Sequence, residues 1–277
     1  MADSTNGNAY LPFTELMRLD KIDEHTFRST AMAFAPGGGN SAYGGHVYSQ
    51  AVWAASQTVK DGFTVHPPRP AEAFSVNKEY SSVLSGHAPA DHPEAPSVDS
   101  PWYWAYRAGG AAEEPFPGLS VRKVDMAGYN SGRAPLDRRQ LHYYRVLGAM
   151  PPLALAPNLH LCAHLYASDR NSLFIIANNL DVGDGFSHMA SLSHTVVFHT
   201  DNAPLAMTDD SATPVWFCQE AWSSRAAGGR AMHLSRIWDA DDRHLASTWQ
   251  EGLLRVGENK YGKMRLESLE KRNRGKL

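Results

Sequence analysis

The sequence predicts an α+β protein, and three patterns predict it. Two apolar stretches carry helical spacing, over Val47–Val59 and Leu159–Asp169. Four strand-like runs follow the second, at Ser191–His199, Val215–Ser223, Ala231–Asp239 and Leu245–Val256. Turn residues separate the last three of these runs, first Gly228-Gly229 and then Asp239-Ala-Asp-Asp242. A buried helix followed by an antiparallel meander implies a sheet wrapped around that helix.

Taken in order, residues 11–35 read as a short helix and an extended strand around Ile22, Phe27 and Met32. A glycine-rich loop runs from Pro36 to Gly45 and leads into the first helix. Its glycines either cradle a phosphate or, on the reading that their spacing favours, form tight turns and let backbone approach closely at a helix start. In Val47–Val59 the residues Val47, Tyr48, Ala51, Val52, Ala55 and Val59 recur at helical spacing with few charges between them, so this helix is expected to be largely buried. From Pro67 to Pro117 prolines punctuate the chain, and the stretch reads as a linker with a short helix near Glu79–Leu84. Trp102, Tyr103, Trp104 and Tyr106 are available to pin it to a neighbouring surface. Beyond it, Leu119–Met126 alternates as a strand and Leu141–Leu147 is a short apolar, aromatic element. The expected organisation is an N-terminal unit over 11–75, a proline-rich linker over 76–117, a C-terminal unit over 118–257 and a basic tail over 258–277.

Composition narrows the function. A chain of 277 residues can form one large domain or two modest ones, each with its own core. The net charge of −3 gives no general attraction to nucleic acid or to an anionic membrane. No apolar stretch reaches the ~20 residues that span a bilayer. The two cysteines, Cys162 and Cys218, sit in apolar surroundings without CxxC spacing, which argues against a disulfide framework or a zinc knuckle. No signal-peptide pattern opens the chain, and the final Gly-Lys-Leu is close to the peroxisomal Ser-Lys-Leu address, so a peroxisomal or cytoplasmic location is expected.

Neither a G-x-S-x-G elbow nor a P-loop is present. His160 and His164 stand four apart on the second helix, but no glutamate lies between them and no third ligand is apparent, so they read as structural rather than metal-binding. Strand alternation puts His188 and His194 on one face and His199 on the other, which is no cluster. Asp169 is the unusual residue, because it closes an otherwise apolar helix. Burial and the negative end of the helix dipole would both make it a better proton acceptor than a solvated aspartate. The competing reading is an exposed helix end paired with Arg170 or a neighbour. Ser191 and Gln250, taken singly, read as hydrogen-bonding strand residues.

Together these segments carry a resemblance. Tyr166-Ala-Ser-Asp169 with Asn171, Met189-Ala-Ser-Leu-Ser-His194 with Phe198-His199, and Ala246-Ser-Thr-Trp-Gln-Glu-Gly252 with Arg255 resemble the acyl-CoA thioesterase II family. Tyr43-Gly-Gly-His-Val47 is similar to the Gly-Gly-Gln-type helix start of that family, and Leu136-Asp-Arg-Arg-Gln140 and Asp91–Trp104 look like its eukaryotic branches. The similarity spans residues 11–65 and about 75–256. It implies a double hotdog fold, in which one chain carries two units, each a long helix wrapped by an antiparallel sheet. It also implies a catalytic trio of Asp169, Ser191 and Gln250, all from the second unit. In that mechanism Asp169 is general base for a water held by Ser191 and Gln250, and backbone N–H groups stabilise the oxyanion. Acyl-CoA is then the substrate, free CoA and a carboxylic acid are the products, and neither metal nor cofactor takes part. Lipid and fatty acid metabolism is the implied setting, with a homo-oligomer formed through the hotdog sheets.

One departure stands out. Val65-His66 runs directly into Pro67-Pro-Arg-Pro70, where the family places strands that would occupy roughly 40 residues. The first unit is therefore expected to lack strands and to leave its helix short of burial. Two alternatives to an active thioesterase follow: a truncated, weakly active or inactive acyl-CoA-binding variant, and a hydratase or dehydratase, since hotdog folds host that chemistry too.

Overall fold

Pro12 opens a one-turn helix, α1 (Phe13–Leu16), and a hairpin follows in which β1 (Leu19–Lys21) pairs antiparallel with β2 (Phe27–Ser29). The structure is a computed structural model that describes residues 11–35, 42–58, 74–110 and 116–258 together with Glu267. The glycines 37–39, the Val65–Pro70 junction and the Gly275-Lys276-Leu277 end lie outside the described residues. Helix α2 (Gly44–Ser56) is followed by three short helices, α3 (Val76–Glu79), α4 (Ser81–Leu84) and α5 (Pro101–Ala108). Then come β3 (Leu119–Lys123), α6 (Ala127–Asn130), β4 (Gln140–Val146), α7 (Pro157–Ser168) and α8 (Ser172–Asn179). The chain closes with β5 (Phe186–Phe198), β6 (Phe217–Ala227), β7 (Arg230–Trp238) and β8 (His244–Val256).

Among the described residues, six strands form one antiparallel sheet in the order β3-β4-β6-β7-β8-β5. The last five strands of that order curl around α7, which lies between β4 and β5 in sequence, the arrangement of a hotdog fold. Every residue of α7 from Leu159 to Ser168 is buried. The sheet covers one side through Tyr144, Phe198, Phe217, Ile237 and Leu245, and α2 packs on the other, which is why this helix is apolar nearly all round instead of on one stripe. Its two histidines are core residues. His160 bonds Pro151 O and the Met207 N–H at 2.9 Å each, and His164 bonds Tyr144 Oη at 2.7 Å and Leu205 O at 3.1 Å. Burial pushes the His164 imidazole down to about 4.

Helix α2 corrects an expectation. It is not largely buried: only Gly45, His46 and Ser49 are closed off, and Val47 is 55% exposed. One face rests on α7, while among the described residues no sheet covers the other.

The proline-rich stretch is more ordered than its composition suggests. Pro89 and Pro101 each open a helical turn instead of breaking one, since the first helical position needs no N–H donor. Val76, Tyr80 and Leu84 pack with Leu141, Cys218 and Trp238, so α3 and α4 are fastened to the sheet. Buried Glu220 completes that fastening. It accepts from Tyr80 Oη at 2.5 Å and from Arg236 Nε and Nη2 at 2.8 Å each. Both cysteines are free and buried, and burial pushes the Cys162 thiol up to about 12. No helix among the described residues is long and apolar enough to cross a membrane.

Removing the carboxylate would leave Arg236 and Tyr80 without their shared acceptor. Glu220→Ala is therefore expected to cost about 3–5 kcal/mol of unfolding free energy, read from the urea midpoint. A midpoint unchanged from wild type would show that the ion pair does not hold α3 and α4 to the sheet.

Candidate active site

Asp169 caps the C-terminus of α7 and its carboxylate faces the N-terminus of α2. Oδ2 accepts from the Gly45 N–H at 2.8 Å, and Oδ1 accepts from Gln250 Nε2 at 2.6 Å and from Ser172 Oγ at 3.0 Å. Gln250, fully buried on β8, donates its second amide hydrogen to Ser191 Oγ at 2.7 Å. The three sequence-predicted residues thus meet in one hydrogen-bonded group. Asp169 is not an exposed helix end. Arg170 beside it donates to Ser97 O at 2.8 Å and to Pro96 O, tying the 95–97 segment to the end of α7.

The backbone explains how the trio assembles. Asn171 adopts a left-handed conformation, φ 56°, which turns the chain from α7 directly into α8 and lets Ser172 reach back to Asp169. On β5 the register slips between Ser191 and Ser193: Ser191 faces Gly252, whereas His194 faces Gln250. That bulge places residues 191 and 194, three apart, on the face that meets Gln250, where uninterrupted alternation would separate them. Ser191 remains exposed, so the group opens to solvent along β5.

Strand alternation missed His194. Its Nε2 contacts Ser168 Oγ at 2.8 Å and its ring lies 5.7 Å from that of Tyr48. Burial holds the imidazole below its usual range, opposed by the Asp169 charge and the Gln250 side chain. Only the bulge brings His194 to Gln250, and nothing in the local composition announces a bulge.

The glycine pair at the start of α2 also belongs to this site. A Cβ on Gly44 would sit 2.9 Å from Asp169 Oδ2, and one on Gly45 would meet the Tyr43 ring at 2.6 Å. Tyr43 in turn donates to Tyr166 O at 2.5 Å and packs edge-on against Tyr166 and Phe116, with centroids at 5.1 and 5.4 Å. Burial, and then the Asp169 charge, push the Tyr43 phenol well above its usual value, so it remains a neutral donor. Among the described residues no group of histidine, cysteine, aspartate and glutamate is arranged to hold a metal.

A helix wrapped by an antiparallel sheet is the hotdog architecture, and in this chain a carboxylate, a carboxamide and a hydroxyl gather at the end of that helix. Residues 87–254, more than half of the chain, match the family model for the acyl-CoA thioesterase C-terminal domain, and the chain belongs to that family. Among solved structures it is similar to acyl-CoA thioesterase II TesB2 from Mycobacterium marinum, at 19% identity and a TM-score of 0.56, covering 88% of this chain and 98% of that one. It is also similar to a tesB protein from Mycobacterium avium subspecies paratuberculosis, at 15% identity and a TM-score of 0.53, covering 87% and 98%. At these identities the likeness concerns the fold. No curated protein matches the chain.

Gly44→Ala separates site from stability. Alanine is the better helix former by about 1 kcal/mol, so the melting temperature should hold or rise. The displaced carboxylate should nonetheless slow thioester hydrolysis by tenfold or more, on the order expected for a misplaced reacting group. Unimpaired hydrolysis by a stable Gly44→Ala protein would remove the α2 N-terminus from the site.

Proposed function

We propose that the chain hydrolyses acyl-CoA thioesters to free CoA and a carboxylic acid by direct attack of water. One observation carries this reading: the Gln250 carboxamide bridges Asp169 Oδ1 at 2.6 Å and Ser191 Oγ at 2.7 Å. Asp169 takes a proton from the attacking water, and Ser191, whose hydroxyl hydrogen is free to turn outward, orients that water with Gln250. The developing oxyanion is held by backbone N–H groups. Substrate reaches the site along β5, where Ser191 is exposed. Lipid metabolism is the natural setting for this chemistry, in a peroxisomal or cytoplasmic location.

The test is release of free thiol from medium- and long-chain acyl-CoA. Asp169→Asn should lower kcat by about 10²–10⁴-fold, the range for loss of a positioned general base, while the folded state persists. A second reading, an acyl-CoA-binding variant, is favoured by the half-exposed helix α2; soluble wild-type protein that binds acyl-CoA without turnover would establish it and refute the hydrolase. Conversion of enoyl-CoA without thiol release would point instead to a hydratase.

A homo-oligomer is part of the proposal, and its contact is β5. This strand ends the sheet among the described residues, is 13 residues long, and exposes Leu192 and Val197 at 48% and 43%. An open edge of that length invites strand pairing, and an antiparallel pair of identical strands closes on itself by twofold symmetry. Light scattering should give a dimer mass that Val197→Lys reduces to a monomer; a monomeric wild-type chain at tens of micromolar would refute the contact.

A further inference from the structure

Ser168 and Asp169 are neighbours in sequence, and the polar groups around them close into a circuit. Gln250 Nε2 donates to Asp169 Oδ1 at 2.6 Å and to Ser191 Oγ at 2.7 Å, which leaves its carbonyl oxygen as the remaining polar end. His194 stands opposite Gln250 in the β5–β8 register. Facing side chains of paired strands lie about 5 Å apart at Cβ, within reach of an imidazole and a carboxamide. Burial lowers the His194 imidazole, while the Asp169 charge and then a hydrogen bond with the Gln250 side chain raise it, the direction expected where the ring is the donor. Neither His194 Nδ1 nor Gln250 Oε1 has another hydrogen-bond partner among the described residues. On its far side the ring meets Ser168, with Nε2 at 2.8 Å from Oγ.

Two tautomers of a neutral imidazole compete at this point. With the proton on Nε2, the ring donates to Ser168 and presents a bare Nδ1 to the Gln250 carbonyl oxygen, acceptor against acceptor. With the proton on Nδ1, the ring donates to that oxygen, and Nε2 accepts from the Ser168 hydroxyl. Ser168 Oγ lies 2.8 Å from both Leu165 O and His194 Nε2, so its proton reaches the ring by a simple exchange of acceptors. The second tautomer matches the ring and the carboxamide on every side, and buried polar atoms rarely stay unmatched.

Resting on the general-base reading above, we propose that His194 is a positioning residue, which donates its Nδ1 proton to Gln250 Oε1 and so holds both amide hydrogens toward Asp169 and Ser191. An ionised Asp169 favours that orientation by itself, because a carbonyl oxygen turned toward the carboxylate is repelled. Once Asp169 has taken the proton of the attacking water that repulsion is gone, and an unheld carboxamide would turn over to accept the carboxyl O–H. The hydrogen bond from His194 removes that option. Asp169 then finds no acceptor in Gln250 and passes its proton to the leaving sulfur. The steps balance: a water O–H bond breaks as its oxygen bonds the thioester carbonyl carbon, and the proton goes to Asp169. The C–S bond then breaks, and the sulfur keeps the bonding pair and takes the proton back from Asp169.

Two measurements on the full chain test it. Long-range nitrogen–proton NMR of isotopically labelled histidine tells a protonated ring nitrogen from a bare one, and the His194 signals are those missing from His194→Asn. At neutral pH Nδ1 should be protonated and Nε2 bare; a protonated Nε2 overturns the inference alone, whatever the activity of the chain. Kinetics supply the second readout. Leucine and asparagine share a shape, and only asparagine carries an amide donor near the position of Nδ1. His194→Leu should lower kcat about tenfold at unchanged KM, and His194→Asn should recover to within about threefold of wild type, the order expected for one buried hydrogen bond. Equal rates in the two variants overturn the inference as well. A wild-type chain that releases no thiol overturns the hydrolase reading and the part of His194 in the reaction with it, a result that the NMR readout keeps distinct from a wrong tautomer.

Discussion

The hydrogen bond from the Gly45 N–H to Asp169 is the contact on which the rest of the site depends. It joins the start of α2 to the end of α7, so that a carboxylate from one helix is met by a backbone donor from the other. Alone, Asp169 would sit at the negative end of the α7 dipole; the positive end of α2 compensates it across 2.8 Å. Close approach of this kind needs glycine, because a side chain at position 44 would occupy the space of the carboxylate. Phe13, Phe34, Tyr43, Phe116 and Tyr166 form an aromatic cluster behind the contact, and it keeps α2 docked although much of the helix faces outward.

The other side of the site is set by polar groups inside the sheet. Gln219 donates to Ser168 O at 3.2 Å and to Ser235 Oγ at 3.0 Å, and Ser235 bonds Thr248 at 2.6 Å. This rung ties the last turn of α7 to strands β6, β7 and β8 at a fixed height. Apolar packing alone would tolerate small shifts of the helix along the sheet, whereas a matched set of buried hydrogen bonds does not. The carboxylate is therefore held by the fold on both sides.

Much of this was legible in the sequence. The two long helices, the four closing strands and their turns follow from periodicity and turn chemistry, and the trio follows from motif order. Three features were not legible, each for a physical reason. Helix α8 is a short apolar run, Leu173-Phe-Ile-Ile176, too brief to show a period, and its start depends on one left-handed asparagine. The turns in the proline-rich stretch form because proline is well suited to the first helical position, which a count of prolines cannot reveal. His194 was assigned by simple alternation, and a bulge two residues earlier resets the alternation it relied on.

The state of the two cysteines has a practical consequence. Cys162 is fully enclosed and Cys218 is 3% exposed, and burial raises both thiols away from the reactive thiolate. Aromatic disulfide reagents, which react with accessible thiolates, should therefore pass over the native chain. In a solution of the folded protein their colour would count CoA sulfur alone, and in a solution losing its fold the same colour would climb toward two equivalents per chain. One reagent can thus follow both turnover and unfolding, with the protein supplying its own blank.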